Sequence, residues 1–247
     1  MTRTLVVTGA SAGIGAACAR LAPSKGWQRV VVHYGRDLVG AEAVAAQIMA
    51  QGAEARVMQA DVTDMAAVAA LFAGIGSMSP GHMGLVNNAG AVSPTGALAD
   101  LTPERVRKVF EVNVFGAIEV VRQAVAVMRQ WGQGGGIVNI SSAAARLGSA
   151  NQYVDYAATK GAIDTLTLGL ADELAPEGIR VNAVRPGLIE TGIHAKGGEP
   201  ERLARLGHTP PMRRPGTAEE CAEAALWLLS DQASYVTKSF MDVAGGR

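Results

Sequence analysis

Tyr156 and Lys160 form a pair whose residue types and spacing suit proton transfer. They lie four residues apart at the start of a predicted helix, so both side chains project from one face. Tyrosine, with a pKa of about 10, is a weak acid at neutral pH, and a nearby lysine cation lowers that pKa because it favours the phenolate. Any helix can carry this pair by chance, and the alternative is a half-buried tyrosine beside a solvated lysine.

A glycine-rich segment, Thr8-Gly9-Ala10-Ser11-Ala12-Gly13-Ile14-Gly15, follows the first apolar run of the chain. Glycines at this spacing permit a tight turn and let the backbone approach a pyrophosphate, and the helix N-terminus that follows favours an anion. The segment predicts a dinucleotide-binding loop. The alternative is an ordinary turn between a strand and a helix, since glycine is common in turns.

Short apolar runs alternate with longer helical patterns along the chain. The predicted strands are residues 5–7, 30–32, 55–58, 84–86, 136–140, 179–184 and 239–243. The predicted helices are residues 16–25, 39–51, 65–72, 104–131, 156–175 and 218–229. This alternation predicts an α/β fold of the Rossmann type, a doubly wound, seven-stranded parallel sheet with helices on both faces. We expect one domain over residues 1–247, with residues 187–215 as an irregular substrate loop.

The composition excludes several classes of protein. With 49% hydrophobic residues, 18% charged residues and a formal net charge of zero, the chain is predicted to be globular rather than disordered or nucleic-acid-binding. The sequence lacks an apolar run long enough for a membrane span and lacks a signal-peptide core, so we expect a cytoplasmic protein. Cys18 and Cys221 have no metal-ligand spacing, and we expect both to be buried, reduced thiols.

Several further motifs occur in the order found in one known family. The glycine segment is followed by Asp61-Val62, by Asn87-Asn88-Ala89-Gly90, by the Tyr156–Lys160 pair and by Pro186-Gly187 with Thr191. From residue 4 onward the chain resembles the short-chain dehydrogenase/reductases, whose nicotinamide cofactor carries the hydride chemistry. The resemblance implies that the cofactor is bound by Gly9, Ser11, Ala12, Gly13, Ile14, Gly15, Tyr34, Gly35, Arg36, Asp61, Val62, Asn88, Ala89, Gly90, Tyr156, Lys160, Pro186, Gly187, Ile189 and Thr191.

The resemblance also implies a catalytic set of Ser142, Tyr156, Lys160 and Asn113. Ser142 would donate a hydrogen bond to the substrate oxygen, and Tyr156 would transfer the proton. Lys160 would tune Tyr156 and bind the nicotinamide ribose. Asn113 would anchor a water that links Lys160 to solvent.

The spacing between the serine and the tyrosine departs from the family pattern. Ser142 lies fourteen residues before Tyr156, one more than is usual, which we interpret as an insertion within residues 148–155. Tyr153 offers a rival alignment but has no lysine four residues later. Ser141 is then expected to be structural.

The choice between NADP and NAD depends on the end of the second strand. An acidic residue there would bind the ribose 2′-hydroxyl, whereas an arginine would pair with a 2′-phosphate. Tyr34 stands at the acid position and Arg36 follows, which favours NADP (NADPH). Ala12, where many NADP-using relatives carry arginine, and the nearby Asp37 favour NAD, and Arg36 could also be a solvated surface charge.

The predicted reaction is hydride transfer between NADP(H) and a small carbonyl or alcohol compound. An NAD-dependent sugar or alcohol dehydrogenase, a catalytically silent nucleotide-binding regulator, and an epimerase or dehydratase on the same fold are the alternatives. The acidic residues at the end of the active-site helix, Asp172, Glu173 and Glu177, disfavour an acyl carrier protein as substrate, although Arg122 and Arg129 could compensate. The resemblance further implies a homo-oligomer, usually a tetramer.

The substrate loop carries several charges and two histidines. Its basic residues are Lys196, Arg202, Arg205, Arg213 and Arg214, opposed by Glu199 and Glu201. A basic loop could select an anionic substrate, but we interpret these charges as the solvated face of a short helix. His194 and His208 lack metal-ligand spacing, so no metal site is expected. Near the last strand, Lys238 stands where relatives usually have glycine.

Overall fold

The computed structural model of the protein describes residues 2–247, apart from the side chains of His194 and Lys196. The predictions for those two side chains, a surface or loop-packing histidine and a solvated lysine, lie outside the described part. Within residues 2–247, no helix is both long and apolar enough to cross a membrane.

Seven parallel strands form one sheet, and all seven predicted strands are confirmed. They are β1 Arg3–Val7, β2 Arg29–Tyr34, β3 Glu54–Gln59, β4 His82–Asn87, β5 Gly135–Ile140, β6 Ile179–Pro186 and β7 Phe240–Val243. Their order in the sheet is β3-β2-β1-β4-β5-β6-β7, so the direction of winding reverses between β1 and β4. Ligands bind at such a reversal, beyond the carboxyl ends of the strands. The doubly wound parallel sheet predicted from the alternation is therefore confirmed.

Ten helices are described. They are α1 Gly13–Leu21, α2 Leu38–Met49, α3 Met65–Gly76, α4 Pro103–Phe110, α5 Ala117–Trp131, α6 Ala144–Leu147, α7 Val154–Leu174, α8 Ile193–Lys196, α9 Arg202–Leu206 and α10 Ala218–Leu229. Helix α1 begins at Gly13, earlier than predicted, because the glycine segment itself forms the first turn. It ends at Leu21, short of the predicted residue 25, because Pro23 starts a separate 3₁₀ turn, Pro23–Lys25.

Both faces of the sheet are covered by helices, which explains why successive residues of the central strands, such as Leu5, Val6 and Val7, are apolar and buried. On one face Leu5 and Val30 belong to a buried cluster with residues of α1, α2 and α10. On the other face Val6 and Val31 pack in a cluster with residues of α3, α5 and α7. The many alanines of these helices keep them close to the strands, so the carboxyl ends of β1, β4, β5 and β6 are held rigidly beside one another.

The predicted helix over residues 104–131 is helical throughout, but six of its residues are π-helical, which the sequence analysis did not predict. Helix α4 and helix α5 are separated by a π-helical segment, Glu111–Gly116. A Cβ atom on Gly116 would lie only 2.7 Å from the carbonyl oxygen of Val62, so this glycine lets the segment approach the end of β3 closely. The π segment places Asn113 inside the protein, at 2% exposure. Such insertions occur frequently at functional sites.

Candidate active site

A cleft of about 370 Å³ opens at the carboxyl ends of the central strands. It is lined by Ser142, Tyr156 and Lys160 and by twelve further residues predicted to bind the cofactor. These are Gly9, Ser11, Ala12, Gly13, Ile14, Asn88, Ala89, Gly90, Pro186, Gly187, Ile189 and Thr191. Gly15, Tyr34, Gly35, Arg36, Asp61, Val62 and Asn113 are not among the described lining residues.

The glycine loop has a backbone that only glycine adopts readily. Gly9 and Gly13 have φ angles of 64° and 57°, in the left-handed region. A Cβ on Gly15 would lie 2.3 Å from the carbonyl oxygen of Gly9, so Gly15 serves close packing below the cleft rather than lining it. Ala12, the N-cap of α1, makes no side-chain cap, which leaves amides of the first turn available beside the cleft. This arrangement fits the pyrophosphate of a dinucleotide.

A buried histidine that the sequence analysis did not identify supports the glycine loop. His33, in β2, is 1% exposed, and its Nδ1 accepts a hydrogen bond from the Gly9 amide at 3.1 Å. Its Nε2 lies 3.0 Å from the carbonyl oxygen of Ala60. Since Nδ1 is the acceptor, Nε2 carries the proton and donates it to Ala60, so the ring is neutral. Burial lowers the pKa of His33, consistent with this neutral state.

Asn88 joins β4 to the same loop. Its Nδ2 donates to the carbonyl oxygens of Thr8 at 2.8 Å and Gly9 at 3.2 Å, and its backbone amide donates to Thr8 Oγ1 at 2.9 Å. The side chain therefore closes the reversal between β1 and β4, directly beside the cleft. This geometry explains why an asparagine, with donors fixed in one plane, stands at this position.

Tyr156 and Lys160 project into the cleft from the first turns of α7. Burial raises the pKa of Tyr156 to about 12, and a hydrogen bond with Ser142 opposes this rise. The lowering of this pKa by Lys160 stays a prediction, since Ser142 is the group that opposes the effect of burial here. Lys160 Nζ donates to the carbonyl oxygen of Ile140 at 2.7 Å and lies 5.6 Å from the centre of the Tyr156 ring. Lys160 is itself 5% exposed, and burial lowers its pKa to about 8.

Asn113 connects the segment that follows β4 with helix α7. Its Oδ1 accepts from the Ala91 amide at 2.8 Å, and its Nδ2 donates to Ala91 O at 2.9 Å and to Thr159 Oγ1 at 3.1 Å. Thr159 immediately precedes Lys160, and an added Cβ on Gly90 would lie within 4 Å of both Asn113 Oδ1 and Lys160 Nζ. Asn113 thus ties α7, one residue before Lys160, to the segment that follows β4. The water expected at Asn113 stays a prediction.

The longer spacing between Ser142 and Tyr156 is absorbed by a turn after α6. Gly148, Ser149 and Asn151 have φ angles of 72°, 51° and 57°. Three left-handed residues within four positions make a compact turn that returns the chain to α7 despite the extra residue. Tyr153, the rival tyrosine, is the N-cap of α7 and also lines the cleft, so the two tyrosines lie side by side.

Ser141 is held by structural contacts. Its Oγ donates to Asp164 Oδ1 at 2.6 Å, and the other carboxylate oxygen of Asp164 accepts from Arg185 Nε and Nη2 at 3.0 and 2.8 Å.

Cys18 and Cys221 are free and buried, on the packed helices α1 and α10. Burial raises the pKa of Cys221 to about 12, so its thiol is protonated.

The residues predicted for the adenosine end lie at the carboxyl ends of β2 and β3. Tyr34 is the last residue of β2, as predicted, and Arg36 is exposed just beyond it. Asp37 caps α2, since its Oδ1 accepts from the Gly40 amide at 2.9 Å. Asp61 Oδ1 accepts from the Thr63 amide and hydroxyl at 2.9 and 2.8 Å. These bonds lower the pKa of Asp61, and the charge of Arg36 adds to the effect.

Residues 187–215 contain the short helices α8 and α9, and the interpretation of their charges as solvated is wrong for one residue. Arg202 is 6% exposed and lines the cleft. Its guanidinium lies 4.9 Å from the centre of the Tyr153 ring and donates to Glu199 and Gln152. These contacts account for its burial. Arg205 and Arg213 are exposed, as expected for a solvated face.

Comparison with known proteins agrees with this geometry. Residues 9–247 match the family described as enoyl-(acyl carrier protein) reductase. An uncharacterized oxidoreductase of Escherichia coli (strain K12), YgfF, is 50% identical over 244 residues, covering 98% of both chains.

Two solved structures share the fold and were determined with a nicotinamide cofactor. One, assigned to an NAD(P)-dependent gluconate 5-dehydrogenase from Beutenbergia cavernae with bound NADP, superposes with a TM-score of 0.89 at 34% identity, covering 99% of this chain and 96% of that one. The other, a 3-ketoacyl-(acyl-carrier-protein) reductase from Brucella melitensis complexed with NADH, gives 0.88 at 33% identity, covering 100% and 98%. The chain belongs to the short-chain dehydrogenase/reductase family and is an oxidoreductase.

Proposed function

We propose that the protein reduces a small carbonyl compound with NADPH, or oxidises the corresponding alcohol with NADP⁺. The observation that carries the proposal is the presence of Ser142, Tyr156 and Lys160 in the cleft that also contains the glycine loop. A proton donor, a hydrogen-bond donor and a cation converge where a dinucleotide can bind. The alternative of a catalytically silent regulator gives no reason for this convergence.

Each of the three side chains has a distinct task. Tyr156 holds its proton at neutral pH because its pKa is about 12, so in the reductive direction its hydroxyl donates that proton to the substrate oxygen. Ser142 donates a hydrogen bond to the same oxygen and stabilises the charge that develops on it. Lys160, still a cation at neutral pH, stabilises the phenolate that Tyr156 leaves. When bound, the nicotinamide supplies the hydride to the carbonyl carbon, or accepts it in the reverse direction.

The preference for NADP(H) depends on the end of β2. Tyr34 offers no carboxylate to repel a 2′-phosphate, and Arg36 is an exposed cation two residues later. Asp37, the acidic residue that could have favoured NAD, is engaged as the cap of α2. The exposed Asp61 next to Arg36 fits the adenine ring rather than a phosphate. These positions support a site for a 2′-phosphate.

An acyl carrier protein is not favoured as the substrate. The names of the two solved relatives, a gluconate dehydrogenase and a 3-ketoacyl-(acyl-carrier-protein) reductase, point to different classes of substrate and so do not select one for this chain. Near the end of α7, Glu177 accepts from Arg129 at 2.6 Å and Asp172 pairs with Lys238. These charges are therefore mutually neutralised and offer no basic patch for an acidic carrier.

Fluorescence titration with NADPH and NADH, followed by a panel of carbonyl compounds monitored at the nicotinamide absorbance, tests this proposal. We expect tighter binding of NADPH and turnover with at least one class of carbonyl compound. Arg36→Ala should raise the Kd for NADPH more than that for NADH. Binding of neither nucleotide would overturn the proposal, and a preference for NADH would overturn only the role of Arg36.

A further inference from the structure

The cleft carries an excess of positive charge beyond the residues used for catalysis. Among the described residues that line it, the charged side chains are those of Lys160, Arg202 and Arg247, and none of the lining side chains is a carboxylate. Lys160 serves Tyr156. Arg202 and Arg247 come from α9 and from the chain beyond β7, and Tyr153, just before α7, lines the same cleft.

Arg202 is held rigidly in place. Its Nη1 donates to Glu199 Oε2 at 3.1 Å, its Nη2 donates to Gln152 Oε1 at 2.6 Å, and its plane lies on the Tyr153 ring. The carboxylate of Glu199 only partly neutralises Arg202, because the same Oε2 also accepts a hydrogen bond from Arg205 Nη2 at 2.7 Å. One carboxylate therefore serves two guanidinium groups. A guanidinium with spare N–H groups, buried at the wall of a cleft, is suited to bind an anion.

Arg247 adds a second cation to the same wall. Its main-chain oxygen accepts a hydrogen bond from Arg146 Nη2 at 2.9 Å. Two residues earlier, the carbonyl oxygen of Gly245 accepts from the Met212 amide at 3.0 Å. The backbone is thus tied to α6 and to the substrate loop. Burial lowers the pKa of Arg247, and the positive charge of Arg202 lowers it further, so the two guanidinium groups repel each other. An anion bound between them would relieve that repulsion.

Tyr153 supplies a third group at the same place. Its side chain is 6% exposed, it lines the cleft, and its hydroxyl is buried without a hydrogen-bond partner among the described residues. A buried hydroxyl without a partner costs free energy that a ligand oxygen would recover. Burial raises the pKa of Tyr153, so its hydroxyl stays protonated and can donate to an anion.

We propose that Arg202, Arg247 and Tyr153 form an anion subsite, and that the substrate is a small oxo or hydroxy compound bearing a carboxylate or phosphate. The inference rests on the proposed function, because it assigns the second end of the substrate whose carbonyl lies at Ser142 and Tyr156. Tyr153 and Tyr156 are three residues apart at the start of α7, so their side chains are neighbours. Both tyrosines line the same cleft of about 370 Å³, so the anionic group and the reacting carbon of one small molecule would lie in that cleft together.

Matched sets of substrates test the subsite. Small oxo carboxylic acids are compared with their methyl esters and primary amides, and with oxo compounds that carry a phosphate, with NADPH as reductant. We expect kcat/KM for the acids or phosphates to exceed that for the neutral partners by at least about tenfold, through KM. The preferred anion distinguishes a carboxylate from a phosphate.

Variants at the subsite locate the effect. Arg202→Met and Tyr153→Phe should reduce the preference for the anion and leave the Kd for NADPH within about twofold of the wild type. Arg213→Met is the matched control, because Arg213 is an exposed arginine of the same loop that is not among the described residues lining the cleft, and the preference of this variant for the anion should be unchanged. Thermal-shift titration of the same compounds in the presence of NADP⁺ gives a readout that does not need turnover.

The outcomes separate the subsite from the proposed function. Turnover of neutral carbonyl compounds without preference for anions would overturn the subsite and leave the reductase intact. Failure of every anion to bind or react in both assays, with NADPH still bound, would also overturn the subsite. Failure to bind either nucleotide would overturn the proposed function itself.

Discussion

Lys160 has a buried ammonium group, and burial disfavours the charged form of a side chain. Its side chain is 5% exposed, and burial lowers its pKa from 10.5 to about 8. The folded state therefore binds this proton less tightly than the unfolded chain does. Below pH 8 both states carry the proton and the full cost is present, whereas above pH 10.5 neither state carries it and the cost disappears. The protein thus retains a destabilising residue at the site of its proposed chemistry.

Lys160→Met should stabilise the protein while it abolishes activity. The shifted pKa corresponds to a cost on the order of 3 kcal/mol at neutral pH, partly offset by the hydrogen bond to Ile140 O, so we expect a gain of about 1–2 kcal/mol. Urea unfolding at pH 7 measures the difference, which should shrink when the measurement is repeated at pH 10. A variant less stable than the wild type at pH 7 would show that the buried ammonium contributes more than it costs.

At the scale of elements, the end of β2 and the glycine loop form one unit through His33. The ring accepts from Gly9 and donates to Ala60 only while it is neutral, and protonation at Nδ1 would remove the bond to Gly9. Because burial holds the folded pKa of His33 below 6.5, the folded state binds fewer protons than the unfolded state as the pH falls through 6.5. The loop is therefore expected to weaken on the acid side of neutrality.

His33→Gln should remove this acid sensitivity. A glutamine can accept from Gly9 and donate to Ala60 but does not titrate. We expect the Kd for NADPH of the wild type to rise by about tenfold between pH 7 and pH 5 and that of the variant to rise less. Fluorescence titration across this range measures both, and circular dichroism verifies that each protein stays folded. Identical pH profiles would contradict the role of His33.

The turn before β7 carries an avoidable strain. Lys238 has a φ of 63°, in the left-handed region, which explains why glycine would be the natural residue there. Its ammonium pairs with Asp172, but both side chains are exposed, so the pair contributes little. The backbone conformation, rather than the charge, should dominate the effect of a substitution.

Lys238→Gly should therefore stabilise the protein relative to Lys238→Ala. Both variants lose the ion pair, but only glycine adopts the positive φ without strain, so we expect a difference of about 1 kcal/mol in favour of glycine. Thermal unfolding of the two variants is the direct measurement. Equal stability would mean that this turn relaxes to another conformation.

The parts of the fold that follow from local pattern were predictable from the sequence. Most strands are short apolar runs next to turn residues, and helix α10 begins directly after Thr217, which forms a capping box with Glu220 in the structure. The π segment was not predictable, because it depends on the close approach of Gly116 to Val62, which are far apart in sequence. His33 and Arg202 were missed for the same reason. Their importance lies in contacts made across the fold.

At the scale of the whole molecule, large apolar side chains are exposed on α7 and where the π segment meets α5. Phe115, Ile118 and Leu168 are 51%, 40% and 38% exposed. The first two lie where the π segment meets α5, and the third lies on α7. Exposed apolar residues on adjoining elements are typical of interfaces. We propose a homotetramer that buries them.

Light scattering after size-exclusion chromatography tests this assembly. We expect a mass four times that of the 25.4 kDa chain, and a smaller mass for the double variant Phe115→Glu, Ile118→Glu, because like charges would be buried at the interface. Val39→Glu is the control, since Val39 is 78% exposed on α2, away from these helices, and its mass should be unchanged. A monomeric wild type would contradict the proposal.

The proton-transfer role of Tyr156 is the claim on which the proposed reductase most depends, and Tyr156→Phe tests it most directly. The variant keeps the ring and loses only the hydroxyl, so the Kd for NADPH should stay within about twofold of the wild type. The rate of carbonyl reduction in a single turnover should fall by roughly 10²–10⁴. Reduction at the wild-type rate by the variant would contradict the account, because another group would then supply the proton.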